Sequence, residues 1–248
     1  MNDIAEKYKT LAKVYEALSP KEDVFKQKPF FSQLIQRYAI KTCLDCACGT
    51  GWHLFMLDEL GVACLGSDIS PDMLAVAQRN LTGKNILLKR EDFRRLSESW
   101  QRRFDMVICM TTSLPHMLMD DDVTIALNSM YEALNSGGIL VVSNGISDLL
   151  LDTKPKFLPG RIGTDQALYF FLEYPSREIV TFNILHIKKT ENSFEHNFEA
   201  INYNAMRKST LENCFIHTPF RQIEYFGGYD FSDYSTETSQ RLILVAQR

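Results

Sequence analysis

The chain has 248 residues, 45% of them apolar, and a formal charge of −4. That length fits one domain with an insertion or a small lid, and the apolar share can bury a sizeable core. The mild charge, with no run of lysines and arginines, argues against nucleic acid or a membrane surface as a main partner, because phosphate binding needs concentrated positive charge.

The first forty residues read as two helices. Ile4, Tyr8, Leu11, Ala12 and Tyr15 recur at helical spacing, Ser19-Pro20 interrupts, and a second amphipathic stretch covers Val24 to Tyr38. The start lacks the basic-then-apolar pattern of a signal peptide and no apolar stretch approaches a membrane span, so a cytoplasmic location is expected. Strand, turn and helix then repeat. Thr42 to Cys46 reads as a strand, Gly49 and Gly51 as the turn, and Trp52 to Leu60 as a helix stopped by Gly61. Val62 to Gly66 is the next strand. Ser70 suits an N-cap and Pro71 the first helical position, so a helix is expected over Pro71 to Asn80. Ile86 to Leu88, Asp105 to Met110 and Ile139 to Ser143 read as further strands, with a helix over Val123 to Leu134. This alternation predicts an α/β fold with a doubly wound, mostly parallel sheet covered on both faces.

The remainder differs. Ala167 to Leu172, Ile179 to Lys188 and Phe194 to Tyr203 follow one another without a helix, as in an antiparallel sheet. Thr210 to Cys214 reads as a short helix. Phe220 to Phe226 and Arg241 to Ala246 form a closing hairpin that brings the main sheet to seven strands. The expected organisation is a helical cap (1–40), an α/β core (41–143), a small antiparallel lid (144–205), and a final helix and hairpin completing the core (206–248).

Leu44-Asp45-Cys46-Ala47-Cys48-Gly49-Thr50-Gly51 is the most informative segment. A strand that ends in a glycine turn and opens a helix brings backbone N–H groups close to a ligand, and the helix N-terminus favours an anion by about 0.3–1 kcal/mol. By itself this fits a dinucleotide site almost as well. A dinucleotide fingerprint, however, needs a third glycine where Leu54 stands, and its sheet would not close with an antiparallel hairpin. Asp68, at the end of the second strand, could accept hydrogen bonds from both ribose hydroxyls of an adenosine. It could also simply start the Asp68-Ile69-Ser70-Pro71 turn, but behind a glycine turn the binding role is the stronger account. Cys43, Cys46 and Cys48 look superficially like a metal cluster. No second CxxC and no histidine pair at finger spacing follow, so no metal is expected and the cysteines read as small buried residues.

With Asp68-Ile69-Ser70-Pro71-Asp72-Met73-Leu74, Glu91-Asp92-Phe93, Phe104 to Cys109, Ser113 with His116, and Leu134 to Leu140, the chain resembles the class I S-adenosylmethionine-dependent methyltransferases. Within them it is similar to the glycine/sarcosine N-methyltransferase-like group. The resemblance runs from Leu44 to Ser143, then more loosely through Lys154 to Phe157 and Met206-Arg207-Lys208 to the last strand. It implies S-adenosylmethionine as cofactor and methyl transfer to a small molecule, an amine or amino acid nitrogen. It implies that Asp45 and the Ala47, Cys48, Gly49, Thr50 and Gly51 backbone hold the methionine end and Asp68 the ribose. Ile69 and Met73 would lie against the adenine, with Asp92 and the Phe93 backbone near its amino group. Met110 and Thr111 would line the floor near the sulfonium, with Tyr15 closing from the N-terminal helix.

Transfer by in-line displacement needs little more than positioning, which can be worth about 7–11 kcal/mol, so a dedicated base is optional. His116 is the best polar candidate, at the ligand-binding edge of the sheet, unless it bonds local backbone as a helix-start histidine. Arg161 and Arg207 could pair a substrate carboxylate bidentately, though surface arginine is the plainer account of both. Tyr169, Phe170, Phe171 and Tyr174 could wall a pocket and read more simply as sheet core. The segment Asn144 to Ala205 is expected to form the lid that chooses the acceptor. The rivals are a nicotinamide-dependent oxidoreductase and a non-catalytic module that binds the same cofactor. An O-methyltransferase would usually show a clear base or metal site. Nothing in the sequence fixes an oligomeric state.

Overall fold

The computed structural model describes residues 2–12 and 14–248, with side chains from residue 5 onward. The side chain of Ile4, placed on the first helix's apolar face by its spacing, lies outside the described residues. The chain opens with α1 (Asn2–Leu11), α2 (Tyr15–Leu18), α3 (Lys21–Phe25) and α4 (Lys28–Tyr38). The stretch expected as one helix from Val24 is therefore two. Pro29 has no N–H to donate and its ring would clash with the carbonyl four residues back, so a new helix starts with the proline in its first turn.

The alternating core follows as β1 (Thr42–Asp45), α5 (Trp52–Glu59), β2 (Ala63–Asp68), α6 (Pro71–Asn80), β3 (Leu87–Arg90), α7 (Leu96–Ser99), β4 (Phe104–Cys109), α8 (Asp120–Glu132) and β5 (Leu134–Asn144). Then come α9 (Asp148–Thr153), β6 (Phe157–Ile162), β7 (Gln166–Glu173), β8 (Ile179–Lys189), β9 (Phe194–Asn204), α10 (Lys208–Ile216), β10 (Arg221–Phe226) and β11 (Leu242–Gln247). Seven strands form the main sheet in the order β10-β11-β5-β4-β1-β2-β3. Strands β1 to β5 pair in parallel, and β11 runs antiparallel to both β5 and β10. The order reverses between β1 and β4, and a ligand crevice lies at the carboxyl ends of the strands at such a switch point.

Both faces of the sheet are buried, which is why its central strands are apolar runs rather than alternating ones. On one face Val107, Cys109, Leu140, Val142, Leu242 and Leu244 meet α8 and α10. On the other Met106, Ile108, Val141, Ile243 and Val245 meet Phe30, Phe31 and Leu34 of α4 and Leu54 and Leu57 of α5. Leu54, which stands where a dinucleotide site has its third glycine, packs over Gly66 of β2. A Cβ on Gly66 would lie 2.5 Å from Leu54 Cδ1 and 2.9 Å from Leu88 Cδ2. The close approach of helix to sheet is thus achieved by a bare residue on the strand instead of on the helix.

The antiparallel sheet has four strands, β6-β7-β8-β9, one more than expected. Pro159 and Gly160 argue against a strand, yet β6 lies at the edge and carries its register shift between Leu158 and Arg161, where such residues are tolerated. Its inner face, with Leu168, Leu172, Val180, Ile184, Ile201 and Tyr203, packs on Leu11, Ile146 and Leu151. Among the described residues no helix is long and apolar enough to cross a membrane.

Candidate active site

β1 ends at Asp45, and the chain then turns through Cys46 to Gly51 into α5. Gly49 and Gly51 have positive φ, 52° and 87°. The two glycines serve different ends. A Cβ on Gly51 would press on Leu81 and Ala77 at 3.1 and 3.3 Å, so its bareness lets α6 close on the turn, and it lines none of the cavities described below. Gly49 faces a cleft, where Tyr15 Cε1 would be 3.8 Å from an added Cβ.

Asp68 ties the turn to β2. The Gly49 N–H donates to its Oδ2 (2.9 Å) and the Ser70 N–H to its Oδ1 (2.9 Å). Each oxygen keeps a lone pair for a further donor. Burial raises the Asp68 pKa, offset in part by the Ser70 and Gly49 N–H groups. The Ser70 side chain caps α6 through the Met73 N–H, as its position predicts.

Asp45 is 1% exposed, and its Oδ1 accepts from the Ala47 N–H at 3.2 Å. Its Oδ2 has no partner among the described residues. Burial, with the Asp68 charge adding, lifts the carboxyl from 3.8 to about 8. An unsatisfied buried carboxylate oxygen is costly and points to a ligand that brings a positive charge and hydrogen-bond donors. The ammonium end of S-adenosylmethionine meets that requirement. A dinucleotide would instead set its anionic pyrophosphate at the glycine turn, close to Asp45.

The cleft, about 500 Å³ with its solvent-open part, is lined by Ala47, Gly49, Asp68, Ile69, Met73 and Phe93 and roofed by Tyr8 and Tyr15. Cys48 and Thr50 line a smaller recess of about 300 Å³ that shares Ala47, Gly49 and Tyr15 with it. Tyr15 sits over Gly49 because its neighbour Glu16 accepts from Trp52 Nε1 (3.1 Å) and Asn80 Nδ2 (2.6 Å), pinning α2 on α5 and α6.

Besides Gly51, and Cys48 and Thr50 in their separate recess, Asp45, Met110, Asp92 and Thr111 are not among the residues that line the cleft. Met110 continues the Met106 and Ile108 face of β4 into the core under α4 and α5. Asp92 caps the short turn at Phe93, and Arg94 occupies its carboxylate through a salt bridge of 2.8 Å. Thr111 lies at the mouth of a second chamber. It and Thr112 both have left-handed φ, 57° and 66°, a strained pair of a kind found at binding edges. Thr112 Oγ1 accepts from the Gly145 N–H at 2.9 Å, which fixes the bend.

His116 does not bond local backbone through its ring. Its Nε2 lies 2.8 Å from the Tyr8 hydroxyl, and its ring packs on Tyr203 at 4.6 Å between centroids. Nδ1 has no partner among the described residues. Burial, with the Lys7 charge, lowers its pKa to about 4, so the imidazole is neutral at physiological pH. Burial likewise raises the Tyr8 hydroxyl, and lifts Tyr203 to about 12. Residues from α1, the β4 edge and β9 thus meet at one point. Sequence reasoning missed Tyr203 and took Tyr8 only as part of a helix face. The seven-residue interval between Tyr8 and Tyr15 was the available signal.

The second chamber, about 1360 Å³ with its open part, shares Tyr8 and Tyr15 with the cleft and runs beneath the four-stranded sheet. Leu11, Leu18, Leu150, Phe170, Phe182 and Ile201 make its walls apolar. Phe170 is therefore a wall residue, whereas Tyr169 is exposed and Tyr174 donates to the Pro155 carbonyl. Arg161 lines the chamber, but its charge is taken by Asp23 at 2.6 Å. Arg207 lies elsewhere, in a groove with Lys154 and Arg177, held by Asp148 (3.2 Å) and Asp152 (2.6 Å). The six cysteines are buried, and Cys43 and Cys48 turn to one face of the sheet while Cys46 turns to the other. Among the described residues no group of three or more His, Cys, Asp or Glu side chains could hold a metal ion.

Residues 43–138 match the family model of a methyltransferase domain. The glycine/sarcosine N-methyltransferase of Aphanothece halophytica is 35% identical over 125 residues, 50% of this chain and 47% of that protein. The dTDP-3-amino-3,6-dideoxy-alpha-D-glucopyranose N,N-dimethyltransferase of Streptomyces fradiae is 32% identical over 123 residues, 49% of this chain and 47% of that one. The chain thus spans about half the length of these curated relatives. The crystal structure of an S-adenosylmethionine-dependent methyltransferase from Clostridium acetobutylicum superposes with a TM-score of 0.83 at 18% identity, covering 97% of this chain and 98% of that one, and so shares the fold. From these matches together, residues 43–138 match a methyltransferase domain, and the chain shares the fold of an S-adenosylmethionine-dependent methyltransferase, with the glycine turn and cleft at its switch point.

Proposed function

We propose that this protein transfers a methyl group from S-adenosylmethionine to a nitrogen of a small-molecule acceptor. The observation that carries it is the buried Asp45 oxygen without a partner, set beside a glycine turn that Asp68 ties to β2. Asp45 would take the ammonium of the cofactor, Ala47 to Thr50 its amino-acid end and Asp68 its ribose hydroxyls. Ile69, Met73 and Phe93 would hold the adenine. When bound, S-adenosylmethionine supplies a methyl group on a positively charged sulfur, electrophilic enough to need no activation. The protein's own work is to position and to exclude water.

Tyr8 and Tyr15 close the cleft on the side of the second chamber, so an acceptor in that chamber approaches past them. The buried Tyr8 hydroxyl stays protonated. His116, neutral and with one free nitrogen, is suited to hydrogen-bond and orient an acceptor N–H; it is too weakly basic to deprotonate an ammonium fully. The amine therefore arrives neutral or gives its proton to water. Nitrogen is favoured over a hydroxyl because no metal-holding cluster or strong base stands among the described lining residues, and because both relatives above are named as N-methyltransferases. The four-stranded sheet forms the chamber wall and would select the acceptor.

Calorimetry with S-adenosylmethionine, S-adenosylhomocysteine and NAD tests the cofactor. Binding of both adenosyl compounds without NAD is expected, and binding of NAD alone would overturn the proposal. A screen of amines for S-adenosylhomocysteine release then separates an enzyme from a binding module; no release from any amine would favour the module.

A further inference from the structure

We propose that Arg241 anchors an anionic group of the acceptor, so that the preferred substrate is a small amine carrying a carboxylate or phosphoryl group. This rests on the methyl-transfer reading for what the acceptor does, though not for how it is held. β11 runs antiparallel to β5, pairing Leu242 with Asn144, so the residue before β11 arrives at the edge where the parallel strands end. Arg241 there lines the second chamber together with Thr111, Thr112 and Gly145.

The charge balance of this chamber is uneven. None of its lining residues is Asp or Glu, and its two charged residues are Arg161 and Arg241. Arg161 is paired with Asp23 at 2.6 Å, a carboxylate that Lys26 also engages at 2.7 Å. Arg241 has no carboxylate partner among the described residues. Its guanidinium lies over the Tyr229 ring (5.4 Å to the centroid) and makes a single long bond, from Nη1 to Ser143 Oγ at 3.4 Å. Ser143 Oγ in turn lies 2.9 Å from the Tyr229 hydroxyl, so the two groups that steer the arginine are themselves fixed. Most of the five donors of a guanidinium are thus uncommitted in a chamber lined by no carboxylate, a setting that suits bidentate pairing with an anion. The charge also reaches His53, whose pKa falls to about 4 through burial and then Arg241. Sequence reasoning chose Arg161 and Arg207 for this role, and both turn out to be spent on carboxylates of the chain itself.

The test uses the intact protein and probes that need no turnover. Benzoate, phenyl phosphate and the neutral benzyl alcohol are titrated calorimetrically into wild type, Arg241→Gln and Arg241→Lys. The two anions should bind wild type and lose roughly tenfold to a hundredfold in Arg241→Gln, with part recovered in Arg241→Lys. Benzyl alcohol and S-adenosylmethionine should bind all three alike, which a folding defect would not allow. Preference between benzoate and phenyl phosphate distinguishes carboxylate from phosphoryl acceptors. Equal anion binding by wild type and Arg241→Gln, or no anion binding by wild type, overturns the proposal. If the anions bind through Arg241 while S-adenosylmethionine does not bind at all, the anion site stands and the methyl-transfer reading fails. Where turnover is found, Arg241→Gln should raise KM for anionic amines and leave kcat and the KM of neutral amines within about twofold, as expected of a residue that binds the substrate away from the reacting atoms.

Discussion

Asp45→Asn should make the ligand-free protein more stable and the cofactor bind more weakly. The asparagine keeps the size of the side chain and an oxygen for the Ala47 N–H, while removing the ionisation. Burial lifts the Asp45 carboxyl from 3.8 to about 8, so the folded chain binds more protons than the unfolded chain between those values. Stability therefore falls as pH rises through that window. At about 1.4 kcal/mol per unit, the acid costs the empty fold up to about 4 kcal/mol at neutral pH. If relaxation leaves half of this, about 2 kcal/mol, Tm should rise by about 4–8 °C in a chain of this length. The same change removes the acceptor for a ligand ammonium and should weaken S-adenosylmethionine by more than about tenfold. Paired thermal melts at pH 5 and pH 7 with calorimetric titrations measure both effects, and the gain in Tm should be larger at pH 7. A Tm unchanged at pH 7 would refute the electrostatic argument, and an unchanged affinity would refute the ammonium contact.

Other outcomes follow from the same geometry. Because a cation favours the ionised form of Asp45, binding of S-adenosylmethionine near pH 7 should release a substantial fraction of one proton, read by calorimetry in buffers of different ionisation heat; no release would contradict the raised pKa. Asp68→Ala should weaken the cofactor by well over about tenfold, since it removes both the proposed ribose contact and the Gly49 tether, and an unchanged Kd would show the contact misassigned. Tyr8→Phe, which removes the 2.8 Å contact to His116, should lower kcat by about twofold to tenfold with the cofactor Kd nearly unchanged. With His116 lowered to about 4, kcat at saturation should show no histidine inflection between pH 6 and 8; one near 6.5 would mean that the ring is not buried as described. Gly66→Ala should cost about 1–3 kcal/mol in melts, because its Cβ would meet Leu54 Cδ1 at 2.5 Å.

The α/β alternation, the glycine turn and the Ser70 cap are local signals, set by periodicity and by backbone chemistry within a few residues, and the sequence displays them directly. The seven-stranded sheet with its inverted last strand and the separate antiparallel sheet match that expectation. What lay hidden depends on partners far along the chain. The fate of an arginine is decided by whichever carboxylate folds beside it, and Asp23 is 138 positions from Arg161. Tyr8 and His116 are 108 apart and meet only because α1 lies across the strand ends. Met110 looked like floor because it follows β4, yet strand alternation continues for one more residue and turns it inward. β6 was masked by Pro159 and Gly160, whose cost vanishes at a sheet edge. Arg241 belongs to no motif, and it stands out only once the fold shows that none of the described residues lining its chamber is acidic.

The most direct test of the account is a crystal structure with S-adenosylhomocysteine bound. The ligand's ammonium should lie within hydrogen-bond distance of Asp45 Oδ2, its ribose on Asp68 and its adenine between Ile69 and Phe93. An adenosyl group lying elsewhere, or an Asp45 Oδ2 still without a partner in the complex, would contradict it.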